Sequence, residues 1–358
     1  MVRDASSHYD PSGNGPERIP ILVAQRIFGI GVNRRMSLLP GFDLADDPPP
    51  QASRLGPKLR VLAGRGVYFG TSSWKYEGWL GSIYSEWRYQ TRGKLSKAKF
   101  EENCLTEYSA TFPTVCGDFA FYQFPSSEYW ARLFEATPAD FRFGFKVPED
   151  VTVSTWPTHT RYGTRAGQTN SSFLDPKVFE RHFARLLRPY GDRVATLIFE
   201  FGTFNRSTFA TPEEFMARLD PFLAALPEGF RYAVEIRNPE YLVPGYLEML
   251  SSRNVAHVFN AWTRMPTLED QIQLSTAFTA DFTVVRALLR KGRSFEQAVK
   301  AFKPYKLAQE PNEETRGAIR QIAMRSITAQ RPVFIFINNR LEGNAPTTIE
   351  AIVDRLTA

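Results

Sequence analysis

The chain is poor in the residues that build metal centres and disulfide frameworks. Its 358 residues hold two cysteines, Cys104 and Cys116, and four histidines, His8, His159, His182 and His257. Two cysteines in so long a chain form no disulfide framework and point to a reducing, cytoplasmic setting. No metal-type cysteine spacing and no HExxH pair occurs, so neither a metal nor a cofactor is expected. Long apolar runs are missing as well. Ile19–Val32 is the most apolar early stretch, but Arg26 interrupts it and it is too short to span a bilayer. Met1–Pro11 is polar and lacks the apolar core of a secretory signal, so no membrane partner is expected. Charge of one sign is scarce too: 44 basic and 38 acidic residues leave a net +6. No Lys/Arg stripe stands out, which argues against nucleic acid as a partner, while the mild positive excess suits a small anionic molecule. Oligomeric state is not legible.

Present instead are eight short apolar runs separated by helix-like stretches. They are Val67–Thr71, Thr114–Asp118, Phe141–Lys146, Ala195–Glu200, Tyr232–Arg237, Ala256–Asn260, Phe282–Arg286 and Val333–Asn338. Strands alternating with helices eight times predict an α/β protein, a (β/α)₈ TIM barrel. Residues 64–358 are assigned to the barrel. Residues 1–63, with the glycine-interleaved Pro11–Pro16 and the run Asp46-Asp47-Pro48-Pro49-Pro50, read as a poorly ordered N-terminal extension. Helix starts are marked by Ser96, Ser126 and Thr211-Pro212-Glu213-Glu214. The long loop 148–174 is expected to line or cover one end of the barrel.

In a TIM barrel the C-terminal strand ends converge on a mouth, and most of these runs end in a polar residue. In Ala233-Val234-Glu235-Ile236-Arg237 the two charges lie two apart and share a face. Glu235 is the candidate acid/base and Arg237 the candidate anion clamp; a structural ion pair is the competing explanation. Glu200 ends the fourth run and offers a second carboxylate, with a solvated loop-edge acid as its alternative. Lys146 and Arg286 end the third and seventh runs. With Arg237 they would face Asp118, Glu200 and Glu235 across the mouth, Lys146 as electrostatic stabiliser and Arg286 as a second clamp. Asn338 and Asn339 could bind a polar ligand edge or simply form a turn. Trp74, Tyr76 and Trp79, in the hydroxyl-bearing loop after the first run, could stack on a flat or sugar-like ligand or cap the barrel. Cys116 reads as a small buried hydrophobe.

Several segments then resemble one family. Gly70-Thr71-Ser72-Ser73-Trp74 with Trp79 and Tyr84 resembles the opening motif of the YecE-like family, domain of unknown function 72. Phe112-Pro113-Thr114-Val115 followed by Phe121-Tyr122-Gln123-Phe124-Pro125-Ser126 is similar to its second motif. Phe143 to Pro148, Glu235-Ile236-Arg237-Asn238, Arg286 and Asn338-Asn339 with Gly343 and Ala345-Pro346 follow in family order. The resemblance implies a TIM barrel from about Gly64 onward and adds Tyr122 to the ligand-binding candidates. It carries no settled reaction. Cys116 and Asp118 stand where the motif usually has Glu and Asn, Glu200 where it has Gln, and Asn260 where it has Asp. The expectation is an uncharacterised barrel that binds a small polar or anionic ligand and acts as a hydrolase or isomerase. The alternatives are a non-catalytic ligand-binding or scaffold barrel, and a metal-dependent nuclease-like or isomerase-like barrel.

Overall fold

Strict alternation along short β-rich runs separates each strand into an inner and an outer face. The computed structural model describes residues 48–357, and in it these runs pair side by side. The barrel strands are β1 (Val67–Thr71), β2 (Thr114–Gly117), β3 (Arg142–Lys146), β4 (Val194–Glu200), β5 (Tyr232–Glu235), β6 (Ala256–Ala261), β7 (Thr283–Ala287) and β8 (Val333–Ile337). Among the described residues, these eight form one closed barrel, each parallel to its sequence neighbour, with β8 closing on β1.

The inner positions form an apolar plug. Cys116, Ile198, Ala233, Val258, Val284 and Phe336 belong to one buried cluster, each from a different strand. Gly70 serves this packing by its lack of a side chain: a Cβ there would lie 2.0 Å from the carbonyl oxygen of Thr114 on β2. The register shifts between β3 and β4 at Phe143/Gly144, skipping Ala195. Above that irregularity Thr196, Ile198 and Glu200 keep one parity, as read from the sequence. Outward, Phe143 and Phe145 meet Phe134 and Trp130 at ring distances of 5.0 and 4.9 Å. The expected caps are formed: Ser96, Ser126 and Thr211 accept from Lys99 N, Tyr129 N and Glu214 N.

The N-terminal boundary differs from the expectation. Residues Pro50–Gly64, placed by composition inside a low-order extension ending at 63, form a helix, α1. The proline run starts it, because Pro at the first helical position has a pre-set φ and needs no hydrogen-bond partner. Leu55, Leu59 and Leu62 recur at helical spacing and are fully buried. Arg54 and Lys58 pair with Glu350 and Asp354 of the last helix, α2 (Ala345–Thr357), at 3.0 and 2.6 Å. Residues 1–47 of the expected extension lie outside the described residues. No helix among the described residues is long and apolar enough to cross a membrane.

On β6 the outer position of His257 places its ring between Tyr246 and Phe259, at 6.0 and 5.3 Å. Burial pushes its pKa from 6.5 down to about 4, against a smaller opposing influence of the Gln271 side chain.

Two outcomes are expected. Leu59→Ala should cost about 2–5 kcal/mol in chemical denaturation, the usual result of a cavity at a fully buried leucine; a loss under about 0.5 kcal/mol would show that α1 is dispensable. His257 is neutral in the fold and protonated when unfolded between about pH 4 and 6.5. Its contribution to stability is therefore complete above about 6.5 and is lost as the pH falls toward 4, at about 1.4 kcal/mol per unit. His257→Gln should flatten that part of the stability–pH curve, and an unchanged slope would contradict this.

Candidate functional site

Two residues further along the inner face of five strands, the apolar plug gives way to charge. Ile198 is followed by Glu200, Ala233 by Glu235, Val284 by Arg286, Gly144 by Lys146 and Cys116 by Asp118. Glu200 and Glu235 are register partners on β4 and β5, so two carboxylates stand side by side. Such a pair is costly to bury unless cations face it.

Cations do face it. Arg286 Nη1 donates to both Glu235 Oε2 and Glu200 Oε2. Arg237 Nη2 lies 2.6 Å from Glu235 Oε1 and 3.2 Å from Glu200 Oε2. Lys146 Nζ is 3.2 Å from Glu200 Oε2 and 3.4 Å from Asp118 Oδ1. Glu235 is fully buried, and Arg237, Arg286 and Lys146 are nearly so, whereas the Asp118 side chain is 46% exposed. Aromatic rings pack on the cations. The Arg237 guanidinium lies 3.8 Å from the centre of the Trp262 ring, and Lys146 Nζ lies 3.7 Å from that of Phe121.

The network is not saturated. Arg237 Nε and Nη1 and Arg286 Nε are buried with no protein hydrogen-bond acceptor. Glu235 Oε1, despite its close ion pair with Arg237, accepts no aligned hydrogen bond. Glu200 and Lys146 are held in their charged forms. Burial works against ionisation of Glu200, yet Lys146, Arg237 and Arg286 together hold its carboxyl well below the usual range. Burial likewise opposes the charge on Lys146, and Asp118 and Glu200 outweigh it to raise its pKa. Burial pushes the Cys116 thiol up to about 12, so it is neutral and fits the reading as a buried hydrophobe.

The structure brings Glu200, Glu235, Lys146, Arg237, Arg286 and Asp118 into one cluster. The remaining candidates sit around it in other ways. Trp74 is 5% exposed, its ring edge-on to Phe119 at 5.2 Å and its backbone carbonyl accepting from Tyr84 Oη. Its ring is thus nearly closed to solvent. Tyr122 is exposed, with the Arg161 guanidinium 4.2 Å from its ring centre, and it feels the charges of Lys146 and Asp118. Asn338 and Asn339 accept from Arg340 N and Ala345 N, at 3.0 and 2.8 Å, which is the turn reading. The Asn339 Nδ2 group has no protein acceptor.

Sequence reasoning missed Trp262 and Glu149. Trp262 follows directly on β6, and that position was the available signal. Glu149 opens the 148–174 loop, buried and bound by Arg161 at 2.9 Å and Tyr162 Oη at 2.7 Å. Burial raises its pKa against those two contacts. Among the described residues no group of three or more His, Cys, Asp and Glu is placed to hold a metal ion.

Fold and site together define a TIM-barrel protein with its charged groups gathered at the C-terminal strand ends. The chain belongs to the family described as "Protein of unknown function DUF72", whose family model matches residues 68–358. It is 23% identical over 189 residues to the UPF0759 protein YecE of Escherichia coli K12, a match covering 53% of this chain. The chain spans about half, 55%, of that relative's length. Among solved structures, a DUF72 family protein from Thermotoga maritima superposes with a TM-score of 0.56 at 21% identity, covering 82% of this chain and 99% of that one. One from Enterococcus faecalis gives 0.55 at 17%, covering 82% and 96%. These likenesses establish the fold.

Substitutions separate the buried layer from its exposed edge. Glu235→Gln should cost about 3–5 kcal/mol in urea unfolding, because Arg237 and Arg286 lose their buried counter-charge. Asp118→Asn, at a half-exposed carboxylate, should cost under about 1 kcal/mol. Equal losses at the two positions would contradict this layering.

Proposed function

We propose that the mouth binds a small anionic molecule and that Arg237 is its principal clamp. The observation that carries this reading is the pair of buried Arg237 nitrogens, Nε and Nη1, left without a protein acceptor. A buried guanidinium donor without an acceptor costs free energy that a ligand oxygen would recover. Glu200 and Glu235 hold Arg237 and Arg286 in place. Glu235 is a positioning residue in this account, because both of its oxygens face guanidinium groups and it is sealed from solvent. In a hydrolase or isomerase, proton transfer falls instead to Asp118, the half-exposed carboxylate, with Lys146 stabilising developing negative charge. A non-catalytic binding barrel is the second reading, favoured by the fixed charges of Glu200, Lys146 and Arg286. Two buried free thiols, Cys104 and Cys116, support a reducing, cytoplasmic setting.

Calorimetric titration with sodium acetate and with inorganic phosphate tests the clamp. Arg237→Lys keeps a positive charge beside Glu235 and removes the free guanidinium donors. Affinity for the bound anion should fall about tenfold or more, with unfolding free energy changed by no more than about 1–2 kcal/mol. Wild-type affinity in Arg237→Lys, or no binding of either anion to the wild type at millimolar concentration, would overturn the reading.

A further inference from the structure

One wall of the mouth is apolar and aromatic. Leu288, Leu289, Ala298 and Phe302 form a buried cluster just beyond β7, and Tyr76 and Trp262 pack against it while remaining half-buried. Trp262 carries the Arg237 guanidinium on its ring. Tyr76 lies within electrostatic reach of Asp118 and Arg340, and its hydroxyl is pushed up to about 12, chiefly by burial, so it stays neutral. The unfilled cationic donors and the aromatic wall are thus joined at one residue pair, Arg237 and Trp262.

The charge count limits the anion. Lys146, Arg237 and Arg286 are already opposed by Asp118, Glu200 and Glu235. Among these six groups no cation is in excess for a dianion, whereas a monoanion needs only the unfilled Arg237 and Arg286 donors; Arg340, whose Nε has no protein acceptor, lies on the Tyr76 side of the wall. Resting on the anion-binding reading, we propose that the ligand class is an aromatic monocarboxylate. Its carboxylate meets Arg237 and its flat ring packs against Trp262 and Tyr76. An aromatic ring on this wall gains contact that a methyl group cannot supply.

Calorimetric titration compares sodium acetate, sodium benzoate, phenyl phosphate and inorganic phosphate on the wild type, Trp262→Leu, Trp262→Phe and Tyr76→Leu. Benzoate should bind about tenfold or more tighter than acetate, and tighter than phenyl phosphate. Trp262→Leu should remove most of the benzoate-over-acetate preference, Trp262→Phe should restore much of it, and acetate affinity should change little. Tyr76→Leu should lower the preference independently, which keeps the test alive if Trp262→Leu fails to fold. Arg237-dependent binding of acetate with no preference for benzoate would overturn the aromatic assignment and leave the anion site standing. Phenyl phosphate binding tighter than benzoate would overturn the monocarboxylate assignment alone. Absence of binding by all four probes would overturn both proposals.

Discussion

Everything at this mouth depends on the mutual neutralisation of buried charge. A carboxylate at zero exposure needs cations around it, which Arg237 and Arg286 supply to Glu235, and the two guanidinium groups are costly to bury without a carboxylate facing them. Neighbouring strands supply these groups in register, so the backbone ladder sets the charge geometry. Removal of one member strands the others in a medium that solvates them poorly. The layer therefore couples fold stability to site geometry, and a substitution that removes a buried charge from it is felt as unfolding before it is felt as lost binding.

The layer also has an unequal distribution of access. Its centre is sealed, while Asp118 at its edge remains half-exposed. The aromatic residues around it divide in the same way. Trp74 is buried, whereas Trp262 and Tyr76 are half-buried. A mouth of this kind combines fixed electrostatics with a flat apolar wall, which is the usual composition of a small-molecule site. The family likeness reaches the barrel and its strand-end motifs; the reading of the ligand rests on this chain's own side chains.

Much of this was legible in the sequence, for reasons that are local. Period-two alternation put Glu235 and Arg237 on one face, and the same parity put Glu200 above Ile198, because strand geometry allows no other arrangement. Helix starts were legible because Ser96, Ser126 and Thr211 satisfy free N–H groups through their own side chains. What failed was reading order from composition. The proline run before α1 looked like a disordered segment, but Pro50 opens a helix whose leucines bury at every turn. The roles of Trp74 and Trp262 could not be told apart either. Both follow a strand closely, and only tertiary packing against Phe119 in one case and Arg237 in the other decides which is covered. The sealing of Glu235 was equally illegible, since parity gives a residue's face and not its depth beneath neighbouring guanidinium groups.

A crystal structure determined with 4-bromobenzoate tests the central claim most directly, because the bromine locates the ring by its anomalous signal. The account predicts one site at the barrel mouth, with a carboxylate oxygen within about 3.2 Å of Arg237 Nε or Nη1. It also predicts that the ring lies against Trp262 and that the Glu200–Glu235–Arg286 contacts are retained. Anomalous density elsewhere on the molecule, with an undisturbed mouth at saturating ligand, would contradict it.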